Sequence, residues 1–120
     1  MAKIVLAVDD EPAIVKMVTA QLVAHDYEVH SATNGKDALK ICRNLTPDAV
    51  ILDIMMPDMD GARVAEELKE KPKMKNVPII FLTAAVKQSE VPKSHKIGGQ
   101  YYLAKPFRAE QLLGMLKKLI

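Results

Sequence analysis

Apolar residues along this chain gather into short continuous runs, and between the runs they recur at helical spacing. Residues 3–8 form the first run, with acids directly behind it. Such a run marks a strand covered on both faces. Asp10 and Glu11 precede Pro12, a favoured first-turn residue, and place anions at a helix N-terminus. From there Ile14, Met17, Val18, Gln21 and Leu22 predict a helix to about His25. Residues 27–32 predict a short strand. Asn34-Gly35 then reads as a turn and cap before a second helix marked by Ala38, Leu39, Ile41 and Cys42. A buried strand, Ala49-Val50-Ile51-Leu52, ends at Asp53. Residues 55–61, with Pro57, Asp58, Asp60 and Gly61, predict a loop, and Val64, Ala65 and Leu68 a third helix to about Glu70. After a polar connection, residues 77–82 predict a buried strand ending at Thr83. Pro92 cannot sit inside a helix, so a fourth helix starts near it and runs to about Ile97, with Gly98-Gly99 ending it. Residues 100–104 predict the last strand, Lys105-Pro106-Phe107 a turn, and Leu112, Leu113, Met115, Leu116 and Leu119 a final amphipathic helix.

Five strands alternating with helices imply a doubly wound α/β domain, a parallel sheet with helices on both faces. Right-handed crossovers leave few topologies. In such sheets a ligand binds outside the carboxyl ends of the strands. The residues following Val8, Leu52, Leu82 and Ala104 are therefore the ones to read for chemistry.

Composition narrows the class. A chain of 120 residues with 49% hydrophobic and 27% charged residues suits one self-sufficient globular domain. No apolar run approaches the roughly 18 residues of a membrane span, and the N-terminus lacks a secretory pattern. One cysteine, Cys42, excludes an internal disulfide and a multi-cysteine zinc site. A cytoplasmic protein is expected. The net charge of +2 hides a split: residues 1–60 carry 5 basic and 10 acidic side chains, residues 61–120 carry 12 and 5. Either the split is chance on a solvated surface or the first half builds an acidic site. The basic residues do not interleave with the few aromatics, so direct nucleic-acid binding is not expected, nor is membrane binding.

At the strand ends stand Asp9 and Asp10, then Asp53, Thr83 and Lys105. Singly, each has an ordinary explanation: helix caps, a turn aspartate, a strand-end hydroxyl, a surface lysine. Brought into one crevice, three carboxylates repel unless a cation joins them, and an oxygen-only site with few carboxylates suits Mg2+. A carboxylate beside Mg2+, a hydroxyl and an ammonium is equipped for phosphoryl transfer. No glycine-rich nucleotide cradle follows the first strand, and no hydrolytic triad is completed. His25, His30 and His95 are scattered and read as surface or strand residues. Cys42 reads as a small buried hydrophobe, Asp58, Asp60 and Gly61 as turn chemistry, and Met55, Met56 and Met59 as loop anchors.

The sequence resembles the receiver domain of two-component response regulators. The matching pieces are Val8-Asp9-Asp10-Glu11, Leu52-Asp53 through Gly61, Leu82-Thr83-Ala84 and Lys105-Pro106-Phe107, in the family's order and spacing over essentially the whole chain. The resemblance implies a flavodoxin-like fold of five parallel strands in the order 2-1-3-4-5 with five helices. It implies that Asp53 is the phosphoacceptor, taking a phosphoryl group from a sensor histidine kinase or histidine phosphotransfer protein. By the same resemblance Asp9, Asp10, Asp53 and the backbone carbonyl of Met55 hold Mg2+. Lys105 pairs with the phosphoryl group, the bond before Pro106 is cis, and Thr83 and Tyr102 switch a face that meets a downstream protein target.

Some positions depart from the pattern. Met55 and Ala85, two residues after Asp53 and Thr83, offer no side chain to orient a hydrolytic water, so slow self-dephosphorylation is expected, measurable as decay once the phosphodonor is removed. The segment around Val91-Pro92 is less helical than the family pattern. Two rival readings are a phosphorylation-independent scaffold and a haloacid-dehalogenase-like phosphatase. The first should have lost one of the five strand-end residues. The second wants an acid where Met55 stands. Residues 1–120 are read as one receiver without an output domain, acting by protein contact and not as an enzyme on other substrates.

Overall fold

The computed structural model describes residues 2–54, 56, 61–83, 96–97, 100–105 and 107–120. In chain order the elements are β1 (Ile4–Val8), α1 (Pro12–Ala24), β2 (Glu28–Ala32), α2 (Gly35–Asn44), β3 (Ala49–Asp53), α3 (Gly61–Lys69), a 3-10 turn at Pro72–Met74, β4 (Ile79–Thr83), β5 (Lys96–Ile97), β6 (Gln100–Ala104) and α4 (Ala109–Leu119). The sheet order is β2-β1-β3-β4-β6-β5. Its first five members run parallel, which is the expected five-strand order with β6 as the fifth parallel strand.

Strand alternation divides the interior into two layers. On one face Leu6, Val8, Val50, Leu52, Ile79 and Phe81 pack under Ala38 and Cys42 of α2 and Val64, Ala65 and Leu68 of α3. On the other, Val5, Ala7, Ala49, Ile51, Ile80, Leu82 and Leu103 pack under Val18 and Leu22 of α1 and Leu112 and Leu116 of α4. Burial on both faces explains why β1, β3 and β4 read as unbroken apolar runs.

Local chemistry sets the helix ends. Pro12 opens α1 with a φ already suited to a helix and no N–H to leave unpaired. α1 closes with the Asp26 and Tyr27 N–H groups donating to the Val23 and Leu22 carbonyls, and Asp26 takes φ 68°. Asn34 caps α2 by accepting the Asp37 N–H at 2.8 Å, as its place before Gly35 predicts.

One expected element needs correction. The fourth of five predicted helices was to run from near Pro92 to about Ile97. Lys96 and Ile97 instead form a two-residue strand antiparallel to β6, in register with Tyr101 and Gln100. Two residues separate the paired segments, and a Gly-Gly pair at that spacing is a hairpin signal as well as a helix stop. The rest of that helix, Pro92 included, lies outside the described residues, among which there are four α-helices. The Met55 carbonyl, the bond before Pro106 and most of the 55–61 loop also lie outside them.

Candidate functional site

Hydrogen bonds that continue past the strand ends fix where the chemistry-bearing residues stand. The Asp9 N–H donates to the Ala32 carbonyl, Ile54 N–H to Leu82, and Lys105 N–H to Thr83, the last at 2.7 Å. Asp9, Asp53, Thr83 and Lys105 therefore belong to the rigid carboxyl edge of the sheet and not to independent loops. Asp53 lies in register with Leu82, and Thr83 with Ala104.

Three carboxylates meet there. One oxygen from each of Asp9, Asp10 and Asp53 lies within 4.8 Å of the others. Asp9 and Asp53 are buried, 2% and 3% exposed, and Asp10 is half-buried. Asp9 is held through both oxygens. Its Oδ1 accepts the Glu11 N–H at 2.9 Å, and its Oδ2 accepts Lys105 Nζ at 2.8 Å. The same ammonium stands 3.7 Å from Asp53 Oδ2. Burial by itself would lower the Lys105 pKa. The hydrogen bond and charge of Asp9, joined by Asp53 and Glu11, outweigh it and raise the pKa above its ordinary value, so the lysine stays charged.

One ammonium does not neutralise three carboxylates. Their oxygens form a hard donor set without nitrogen or sulfur, which fits a small divalent cation such as Mg2+ better than a softer metal. Thr83 completes the site. Its Oγ1 is buried and has no hydrogen-bond partner among the described residues, an arrangement that costs free energy and is kept where something else can fill it.

The sequence-predicted residues Asp9, Asp10, Asp53, Thr83 and Lys105 all stand at this edge. Tyr102 is two residues from Ala104, the register partner of Thr83. On β6 it occupies the face of Phe81 and Thr83, half-buried and stacked on Phe81 with ring centroids 5.3 Å apart and planes at 28°.

Gly61 was read as turn chemistry, and its position shows more. Its N–H donates to the Ile54 carbonyl at 2.8 Å. A Cβ on it would lie 2.2 Å from the Asp53 carbonyl oxygen and 2.8 Å from the Ile54 Cα. α3 can start directly against the Asp53 backbone because residue 61 has no side chain. A glycine beside apolar helical spacing is visible in sequence, but the close approach is a tertiary fact.

Comparison with known proteins agrees with this geometry. The family model described as response regulator receiver domain matches residues 5–117. Response regulator PleD of Caulobacter vibrioides is 34% identical over 119 residues, which is 99% of this chain and 26% of that protein. The chain spans less than half the length of the curated relatives it matches, 46% for the ycf27 regulator of Porphyra purpurea. Among solved structures, the chemotaxis response regulator CheY4 of Vibrio cholerae is similar over 100% of both chains, with a TM-score of 0.88 and 32% identity. The receiver domain of sensor histidine kinase PA1611 of Pseudomonas aeruginosa, with magnesium coordinated in its active-site cleft, aligns over 99% of this chain and 98% of its own (TM-score 0.84, 28% identity).

Proposed function

The chain belongs to the response regulator receiver domain family of two-component signalling, and from that premise we propose that Asp53 accepts a phosphoryl group from a phosphohistidine. The observation that carries this reading is the gathering of three carboxylates and one charged lysine at the carboxyl edge of the sheet. A carboxylate oxygen of Asp53 attacks phosphorus, the P–N bond to the donor imidazole breaks, and the imidazole leaves with that electron pair and takes up a proton. The product is an acyl phosphate on Asp53.

The other residues take distinct parts. Asp9 is engaged through both oxygens, by Glu11 and Lys105, and is thereby oriented rather than poised to attack. Lys105 stands between Asp9 and Asp53, where its ammonium meets the negative oxygens of a group carried on Asp53. Asp9, Asp10 and Asp53 would hold Mg2+, with the Met55 carbonyl as the further ligand that family resemblance suggests, and the bound ion supplies charge neutralisation to the phosphoryl oxygens. Burial at the sheet edge removes competing water and strengthens each of these charge interactions.

Phosphorylation adds about 1.5–2 negative charges and three acceptor oxygens. The unpartnered Thr83 hydroxyl then gains an acceptor and moves toward it. Tyr102, on the same face and diagonal to Thr83, leaves its half-exposed position for the space vacated. The surface around β6 and α4 changes shape, and a downstream protein target reads the change. The donor is a sensor histidine kinase or a histidine phosphotransfer protein, and the site of action is the cytoplasm. No described helix is long and apolar enough to cross a membrane.

The test is intact-mass measurement after incubation with Mg2+ and acetyl phosphate. One phosphoryl adduct per chain, absent without Mg2+ and in Asp53→Asn, is the expected result. Rapid hydrolysis of many phosphate esters would favour a phosphatase, and no adduct under any condition would favour a phosphorylation-independent scaffold.

A further inference from the structure

β2 is an open edge of the sheet. At the opposite end the sheet tapers to the two residues of β5, whereas β2 presents five residues and pairs with β1 alone. The Glu28 N–H donates to the Lys3 carbonyl, and the Ala32 carbonyl accepts the Asp9 N–H. Alternation therefore turns the backbone groups of Glu28, His30 and Ala32 toward β1 and those of Val29 and Ser31 outward. The outward groups have no hydrogen-bond partner among the described residues.

Edge strands are commonly blunted against pairing by lysines, prolines or bulges. β2 has none of these. Its sequence is Glu-Val-His-Ser-Ala, and its register with β1 is unbroken from Glu28 to Ala32. Glu28 and His30 share one face of the strand, with His30 Nε2 2.9 Å from Glu28 Oε2 and both side chains well exposed. Val29 lies on the other face, half-buried against the layer under α1.

The acid and the imidazole flank Val29 at equal distances along the strand. A second β2 laid antiparallel along the edge, with the two-fold axis at Val29, sets each Glu28 opposite the other copy's His30. That is the self-complementary pattern a two-fold axis requires. The backbone agrees with the same register. Val29 opposite Val29 is a hydrogen-bonded pair, so each copy's outward N–H meets the other's outward C=O. Glu28 and His30 fall at a non-hydrogen-bonded pair, where opposing Cα atoms come within about 4.5 Å and side chains approach most closely. The Ser31 N–H reaches the other copy's Tyr27 carbonyl, while the Tyr27 N–H already donates to Leu22 within its own chain. An axis at His30 would instead set imidazole against imidazole, and an axis at Ser31 would leave Glu28 without a counterpart.

We propose that β2 is a homodimerisation edge, joining two copies of this chain into one continuous sheet through an antiparallel contact centred on Val29. An unrelated extended peptide would gain the main-chain bonds but not the reciprocal Glu28–His30 pairing. One short strand pair falls below the roughly 800 Å² per partner of a standard stable interface, so the dissociation constant is on the order of 0.1 mM. None of the paired side chains belongs to the acidic site.

Sedimentation of the full chain from about 10 μM to about 1 mM brackets that constant, and the mass should rise from monomer toward dimer. Over the same range, hydrogen exchange at the Val29 and Ser31 amides should slow by about fourfold. Glu28→Lys and His30→Glu each remove both attractive pairs and should weaken association by about tenfold or more. Mixing the two variants sets the introduced lysine opposite the introduced glutamate and leaves the second pair native, so a one-to-one dimer should form that neither variant forms alone. Ser31→Pro removes an outward N–H that β1 does not use and should also keep the chain monomeric. Thermal unfolding of each variant checks that it folds. A wild-type chain that stays monomeric throughout overturns the proposal. So does a dimer whose Val29 and Ser31 amides exchange as fast as in the monomer, which would place the contact on another surface, or a mixture no more dimeric than either variant.

Discussion

Lys105 and Asp9, 96 residues apart in sequence, are joined by a 2.8 Å hydrogen bond between two nearly buried side chains. The bond closes the carboxyl edge of the sheet from β1 to β6. It also makes Lys105 the counter-charge for Asp9 and, at 3.7 Å, for Asp53. Lys105→Met removes that charge and leaves the carboxylates uncompensated. In the absence of divalent metal the variant should unfold with about 3 kcal/mol less stability, the usual cost of breaking a buried pair from one side. Mg2+ should then bind more tightly and restore more stability than it adds to wild type. Denaturant unfolding with and without Mg2+ measures both effects, and an unchanged metal affinity would count against the shared-charge geometry.

Gly61 sets the distance between α3 and the Asp53 backbone. Gly61→Ala places a methyl group 2.2 Å from the Asp53 carbonyl oxygen. Neither backbone can yield cheaply, so the expected loss is roughly 2–3 kcal/mol of stability, with a displaced Asp53. Urea unfolding reads the first and the rate of phosphorylation by acetyl phosphate the second. A neutral outcome in both would mean that α3 shifts freely.

Cys42 sits fully buried under the sheet. Burial pushes its thiol pKa up from the ordinary 9.0, while the positive charges of Lys71 and Lys73 pull the other way and only partly offset it. The native thiol should therefore resist alkylation at pH 8 and react on unfolding, so that the labelling rate follows global opening. The sign of the pH effect is fixed as well: the unfolded thiol loses its proton first, so stability from this group is whole below about pH 9 and declines above it. Labelling of native protein as fast as a model thiol would contradict the burial.

Gly114 offers a prediction of opposite sign. Gly114→Ala adds a methyl group into open space on a helix interior, and the fold should gain about 1 kcal/mol. A rise of roughly 4 °C in the unfolding midpoint would be the readout. No gain would show that the position is constrained in a way the described residues do not reveal.

Much of this was legible in the sequence for a definite reason. β1, β3 and β4 are buried on both faces, so they appear as continuous apolar runs, and the polar residue ending each run is where the chain leaves the sheet. Asp9, Asp53 and Thr83 could be picked out on that basis before any geometry was known. Lys105 followed from the same logic at the end of β6. The β5 strand was not legible, because two residues carry no periodicity and Gly98-Gly99 serves a helix stop and a hairpin equally. The Phe81–Tyr102 stack and the approach of Gly61 to Asp53 depend on which elements lie side by side, and local pattern does not encode that. Nor does local pattern reveal that two lysines of the basic half bind backbone carbonyls: Lys69 donates to the Lys75 and Val77 carbonyls, and Lys73 to those of Arg43 and Leu45 at the end of α2.

The claim on which everything else depends is that Asp53, and neither Asp9 nor Asp10, carries the phosphoryl group. Borohydride reduces an acyl phosphate on aspartate to homoserine, which marks the acceptor permanently. After phosphorylation with Mg2+ and acetyl phosphate, reduction and peptide mass spectrometry should find homoserine at residue 53 alone. Homoserine at position 9 or 10, or at none of the three in protein that has gained a phosphoryl group, would contradict the assignment.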